Sequence, residues 1–106
     1  MNTIHFKNYS RFVLIPAHDM RILRNYKYSC GTFSEMLDDR NTGNSNFHVY
    51  NILVMYKDNY PIGWCIHYKY PYNKISSLGF WVNTSLRDNG YRKALCKEAF
   101  KRWYVL

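Results

Sequence analysis

Acidic residues are scarce in this chain: seven Asp and Glu stand against fifteen Lys and Arg, a formal net charge of +8. A basic surplus of that size selects for polyanionic partners, whether nucleic acid, a phosphorylated cofactor, an acidic protein surface or anionic lipid. Cysteine is limited to Cys30, Cys65 and Cys96, an odd count with no CxxC pair. That excludes a disulfide framework and a zinc site and suits a reducing, cytoplasmic setting. His5, His18, His48 and His67 are scattered without metal-type spacing to one another or to a cysteine, so no metal is expected. No apolar run approaches the roughly 20 residues of a membrane span. MNTIHFKNYSRF lacks the charged region followed by an apolar core of a secretion signal. No internal repeat or low-complexity linker interrupts the 106 residues, which suit a single domain over residues 1–106.

Apolar residues are plentiful at 47%, and the aromatic load is heavy, with 11 Tyr, 6 Phe and 3 Trp. The chain can therefore bury a core, although many tyrosines must remain partly exposed. RFVLIPA (Arg11–Ala17) holds a short apolar run ended by Pro16 and reads as a strand. His18–Tyr28 places Met20, Ile22, Leu23 and Tyr26 near one helical face. Thr32 and Glu35 have capping-box spacing before a short helix over Phe33–Asp39, and Arg40–Asn46 reads as a surface loop. HVYNILVMY (His48–Tyr56) is apolar on both alternating sets, as in a strand covered on both faces. A Lys57-Asp58-Asn59 turn links it to a strand over Pro61–Tyr70, in which Gly63 marks a bulge. Ile75–Asn83 is a third sheet strand with Leu78, Phe80 and Val82 on one face. Gly90–Trp103 is a helix with Leu95, Cys96, Ala99, Phe100 and Trp103 as its apolar stripe and Lys93, Lys97 and Lys101 as a basic one. The order β-α-α-β-β-β-α gives an α+β fold: one mostly antiparallel sheet with helices packed on it.

The turn WVNTSLRDNGYRKAL joins the last strand to that helix. The first N–H groups of a helix lack intrahelical partners, and the helix dipole adds partial positive charge beside them. Gly90 would let a ligand approach the backbone, with Arg87, Arg92 and Lys93 around it and Asp88 as the opposing charge. Taken alone, R-x-x-G is a common pattern that a plain turn with solvated cations also explains.

In context, the stretch resembles the GNAT family of N-acetyltransferases, whose signature is a strand, a loop and R/Q-x-x-G-x-G/A opening a helix. Here the match is Leu78–Val82, then Arg87-Asp88-Asn89-Gly90-Tyr91-Arg92, then Ala94-Leu95, and Ile62-Gly63-Trp64 is similar to the opening of the family's third strand. The resemblance implies a GNAT-like sheet binding acetyl-CoA. Its pyrophosphate would lie on the backbone amides of Arg87, Asn89, Gly90, Tyr91 and Arg92, near Lys93. Its pantetheine arm would lie beside Trp81 and Val82 like an added strand. Arg92 stands where the motif has a small residue, so its side chain either obstructs the pyrophosphate or pairs with it. The family's fold continues with further strands and a helix, and these C-terminal elements are expected to be lacking here. Their absence would leave an exposed sheet edge at Ile75–Asn83, a surface through which a homodimer could form.

N-acetyl transfer needs a neutral amine, hence a base, and Ile75–Asn83 carries no carboxylate. His67 is the candidate catalytic residue, because imidazole titrates near neutrality, though a structural strand histidine is the commoner role for such a residue. Three functions follow as expectations. The first is an acetyl-CoA-dependent N-acetyltransferase acting on an amine of a protein or small molecule. The second is a non-catalytic, GNAT-like module binding or inhibiting a protein partner with an acidic surface, similar in composition to phage accessory proteins. The third is a basic nucleic-acid binder, for which no RNP, KH or zinc-finger pattern is present.

Overall fold

The computed structural model describes residues 3–28, 31–32, 48–69, 74, 76–83, 85–86 and 90–103. Strand β1 (Ile4–Tyr9) is followed by a 3-10 turn (Phe12–Leu14) and helix α1 (Ala17–Leu23). Two short strands, β2 (Lys27–Tyr28) and β3 (Gly31–Thr32), precede the long strands β4 (His48–Lys57) and β5 (Tyr60–Lys69). Strand β6 (Ser77–Val82) and helix α2 (Tyr91–Trp103) follow. All strands join one sheet in the order β1-β4-β5-β6-β2-β3, and each neighbouring pair is antiparallel. The arrangement is α+β, with α1 and α2 packed on the sheet.

Helices α1 and α2 cover opposite faces, which is why Ile52–Tyr56 of β4 is an uninterrupted buried run, while His48 and Tyr50 at the start of the strand are exposed. Ile52, Val54 and Tyr56 pack toward α1 with Ile15, Leu23, Tyr26, Trp64 and Trp81. Leu53 and Met55 pack toward α2 with Cys65, Val82, Leu95 and Ala99. A strand buried on both sides has no polar alternation to show. Two register shifts punctuate the β4–β5 ladder, between Val49 and Asn51 and between Met55 and Tyr56. At the second, Met55 faces Gly63 and Tyr56 faces Pro61, so Ile62 is an extra residue on β5. The bulge expected at Gly63 thus falls beside it, and it breaks the side-chain alternation. Ile62 consequently points to the α2 face with Cys65, whereas Trp64 and Ile66 point to α1.

Several expected elements differ. Arg11–Ala17 is not a strand: Phe12–Leu14 forms a 3-10 turn and Ala17 opens α1. Of its apolar run Ile15 is buried and Phe12 packs on the same cluster, while Val13 is 80% exposed, so this stretch lies against the core and does not cross it. The first strand is instead Ile4–Tyr9, a polar-apolar alternation at a sheet edge. The helix expected over His18–Tyr28 stops at Leu23, after which Tyr26 turns into the core and Lys27–Tyr28 enter the sheet. Thr32 lies in β3. The helix expected at 33–39 and the loop at 40–46 fall outside the described residues. Strand β6 is not the outermost strand: of the edge expected at Ile75–Asn83, Val82 is paired on its outer side with Lys27.

Candidate functional site

Helix α2 begins because Gly90 lets it. The glycine has φ +75°, and its carbonyl accepts the first intrahelical bond from the Ala94 N–H at 3.0 Å. That left-handed geometry is one that side-chain-bearing residues rarely adopt. A Cβ built on Gly90 would meet no atom within 4 Å, so the space beside the helix start is open. The amides of the first turn have no partner within the helix. No acidic residue occupies this turn, and Arg92 and Lys93 are both exposed there. The arrangement is electropositive and sterically accessible. Arg87 and Asn89, the other loop residues of the expected cradle, lie outside the described residues.

The remaining expected cofactor residues sit differently. Trp81 is buried against the α1 face, its ring edge-on to Trp64 at 6.4 Å. Val82 packs on the α2 face. Their side chains therefore build the core, and only backbone is left to meet a ligand. At Val82 that backbone has Gly63 on one side and Lys27 on the other. An arm lying alongside β6 has to pass this pairing or displace it. Tyr91 is half-buried, and the Lys57 ammonium lies 5.4 Å from its ring centroid.

His67 lies on the α2 face at the far end of the helix from Gly90. Its ring stacks on Trp103 at 5.6 Å and meets Tyr50 at 5.1 Å, and Nε2 is 2.8 Å from the Ser76 hydroxyl. Partial burial among these groups disfavours the imidazolium and lowers the His67 pKa below its ordinary 6.5. The ring is thus neutral at pH 7. Trp103 and Tyr91 are separated by about 18 Å of helix at 1.5 Å per residue. Along β6 the relation is closer: His67 pairs with Leu78, about 13 Å of strand from Val82.

One polar cluster escaped the sequence reading. Tyr56 donates its hydroxyl proton to Asp19 Oδ2 at 2.9 Å, so the Tyr9 hydroxyl, 2.9 Å from the Tyr56 hydroxyl oxygen, donates to Tyr56. Asp19 Oδ1 meets His18 Nδ1 at 3.4 Å, His18 being well exposed. His5 stacks on Tyr56 at 5.0 Å. Desolvation, with the neighbouring Tyr9 and Asp19, pushes the Tyr56 pKa far above its ordinary 10.0. A phenol held so firmly protonated anchors structure and is a poor acid. With 11 tyrosines in the chain, nothing in the sequence marks Tyr9 and Tyr56 apart from the rest.

A groove of about 730 Å³ separates α2 from β1, with Ile4, Phe6, Tyr91 and Ala94 among its apolar lining and Lys97 and Lys101 along the helix side. Among the described residues, no group of three His, Cys, Asp or Glu is placed to hold a metal ion. Among them, too, no helix is long and apolar enough to cross a membrane. No protein-family model, curated protein or solved structure matches the chain significantly.

Proposed function

We propose that the chain is a small GNAT-like protein that binds acetyl-CoA and transfers its acetyl group to an amine. The reading is carried by the start of α2: a strand feeds a helix through an open glycine at φ +75°, and the first turn holds exposed cations and no acid. It draws support from the meander of β4, β5 and β6 that precedes this turn. The first-turn amides from Tyr91 onward would hold the pyrophosphate, with Arg92 and Lys93 supplying charge. The ligand supplies an activated thioester carbonyl. His67 supplies a neutral imidazole that can take the proton from an ammonium acceptor, the Ser76 hydroxyl fixing one ring nitrogen.

Calorimetric titration with acetyl-CoA tests the binding step. Saturable heat is expected below ~1 mM, together with its loss in Gly90→Glu, which adds bulk and negative charge to the open side of the turn. No heat at that concentration, or undiminished binding by a folded Gly90→Glu, overturns the reading.

A second reading, a non-catalytic module that binds a protein partner, is favoured by one observation. The edge of β6 at Val82, where the pantetheine arm would lie, is already paired with Lys27. Thiol release from acetyl-CoA in the presence of peptide and polyamine acceptors separates the two. Turnover supports the enzyme, and binding without turnover supports the module.

A further inference from the structure

Strand β1 has β4 as its single neighbour among the described residues, leaving six residues of backbone along its outer side. The groove between β1 and α2 runs along this same edge, floored by Ile4, Phe6, Tyr91 and Ala94. Its charged lining is cationic in effect. Lys97 and Lys101 stand along α2, and Glu98 is tied to Arg102 at 2.7 Å. Lys57 reaches over Tyr91 on this face, and Lys7 lies over Tyr9 on the opposite face of the sheet. A free strand edge and an adjacent apolar, lysine-rimmed groove are two separate features that meet at one place.

We propose that this edge receives an extended acidic segment of a partner protein, added to the sheet as a further strand beside β1. Alternate side chains of an added strand point to opposite faces. One set would enter the groove, apolar groups on its floor and carboxylates toward Lys57, Lys97 and Lys101. The other set would meet Lys7. The edge offers both N–H and C=O groups, which another polypeptide backbone complements and a phosphodiester backbone, with acceptors alone, does not. A second copy fits poorly, since it would bring its own +8 to an already cationic edge. The groove shares Gly90 and Tyr91 with the proposed acetyl-CoA site, so the two are told apart through Lys97 and Lys101, which lie along α2 beyond its first turn.

The test uses a fluorescent, end-blocked peptide of about eight residues built from Glu-Glu-Val-Val repeats, which places acid and apolar groups on both faces. Anisotropy should report saturable binding below ~1 mM. A peptide of the same length and charge with proline in place of two valines should bind at least roughly tenfold more weakly, having lost ladder donors. Lys97→Glu/Lys101→Glu and, separately, Ala94→Trp should each weaken binding by roughly tenfold. The first variant changes exposed charge and the second fills the groove, so one can be read if the other folds poorly. Amide exchange along Ile4–Tyr9 should slow in the complex. Absence of binding at ~1 mM overturns the proposal. So does equal binding of the proline peptide, unchanged exchange in β1, or displacement of the peptide by a single-stranded oligonucleotide. Acetyl-CoA titration of the lysine variant should match the unmodified protein, so failure here and failure of acetyl-CoA binding are read separately.

Discussion

Gly79 lies under the Trp81 side chain, and a Cβ at that position would overlap the indole ring. The indole has little room to yield, being edge-on to Trp64, which is itself edge-on to Phe12 at 5.9 Å. Gly79→Ala is therefore expected to destabilise the fold by about 1–3 kcal/mol, as overpacking does, read as a lower urea midpoint. An unchanged midpoint would mean that the indole has another place to go. The tyrosine cluster gives an asymmetric expectation. Tyr56→Phe removes the hydroxyl that both accepts from Tyr9 and donates to Asp19, whereas Tyr9→Phe leaves the Tyr56–Asp19 bond in place. The first should cost about 1–3 kcal/mol and the second distinctly less. Equal losses in chemical denaturation would contradict the hydrogen-bond directions assigned here.

The β4–β5 hairpin is the element most fully written in the sequence. Asp58 and Asn59 have φ of 51° and 70°, a left-handed pair suited to a tight hairpin, and these residue types tolerate it. Asp58 also binds the N-terminal strand, its side chain accepting from the Thr3 N–H and its own N–H donating to the Thr3 carbonyl, both at 2.9 Å. Asn59→Gly should keep or raise stability, and Asn59→Val should lower it by about 1–2 kcal/mol, as compared by thermal melting. Strand β1 was hidden for the opposite reason. Its alternation leaves only Tyr9 fully buried, while the more apolar Phe12–Ile15 run turns Val13 and Leu14 outward and rests on the core through Phe12 and Ile15, so local hydrophobicity pointed to the wrong segment. In α2 the helical period was legible but the stripe was too broad. Leu95 and Ala99 are buried with Tyr91 and Trp103 packed beside them, whereas Phe100 is 47% exposed. The start of α2 could be read from Gly90, since a conformation with positive φ leaves a trace in residue type. The Asp19–Tyr56–Tyr9 chain could not, because it joins α1, β4 and β1 through pairings that sequence spacing does not encode.

Across the whole molecule, titration bounds the range of maximal stability. Burial pushes the Cys65 thiol well above its ordinary 9.0, and burial likewise raises Tyr26 and Tyr56 above 10.0. A raised folded pKa makes the unfolded chain lose its proton first, so stability is present below about pH 9 and falls as the pH rises further. His67 has the reverse sign for a base. Its lowered pKa makes the unfolded chain take up the proton first, so stability falls as the pH drops through about 6.5. Urea midpoints should therefore be highest between about pH 7 and 9, and a maximum at pH 5 or 11 would refute these assignments. The net charge of +8 adds self-repulsion, so moderate salt should raise the melting temperature by screening it.

The pairing of Lys27 with Val82 has a kinetic meaning. Strand β2 is two residues long, and among the described residues one register pair joins it to β6, which places it in the part of a sheet that opens at lower cost than the long β4–β5 ladder. A ligand that needs that edge has to wait for β2 to leave. In stopped-flow mixing, its observed association rate would climb with ligand concentration and then level off at the opening rate of β2. A ligand that binds elsewhere would show a rate that keeps rising in proportion to concentration. The short strand thus acts as a clock, whose plateau would identify which side of the molecule a ligand has entered.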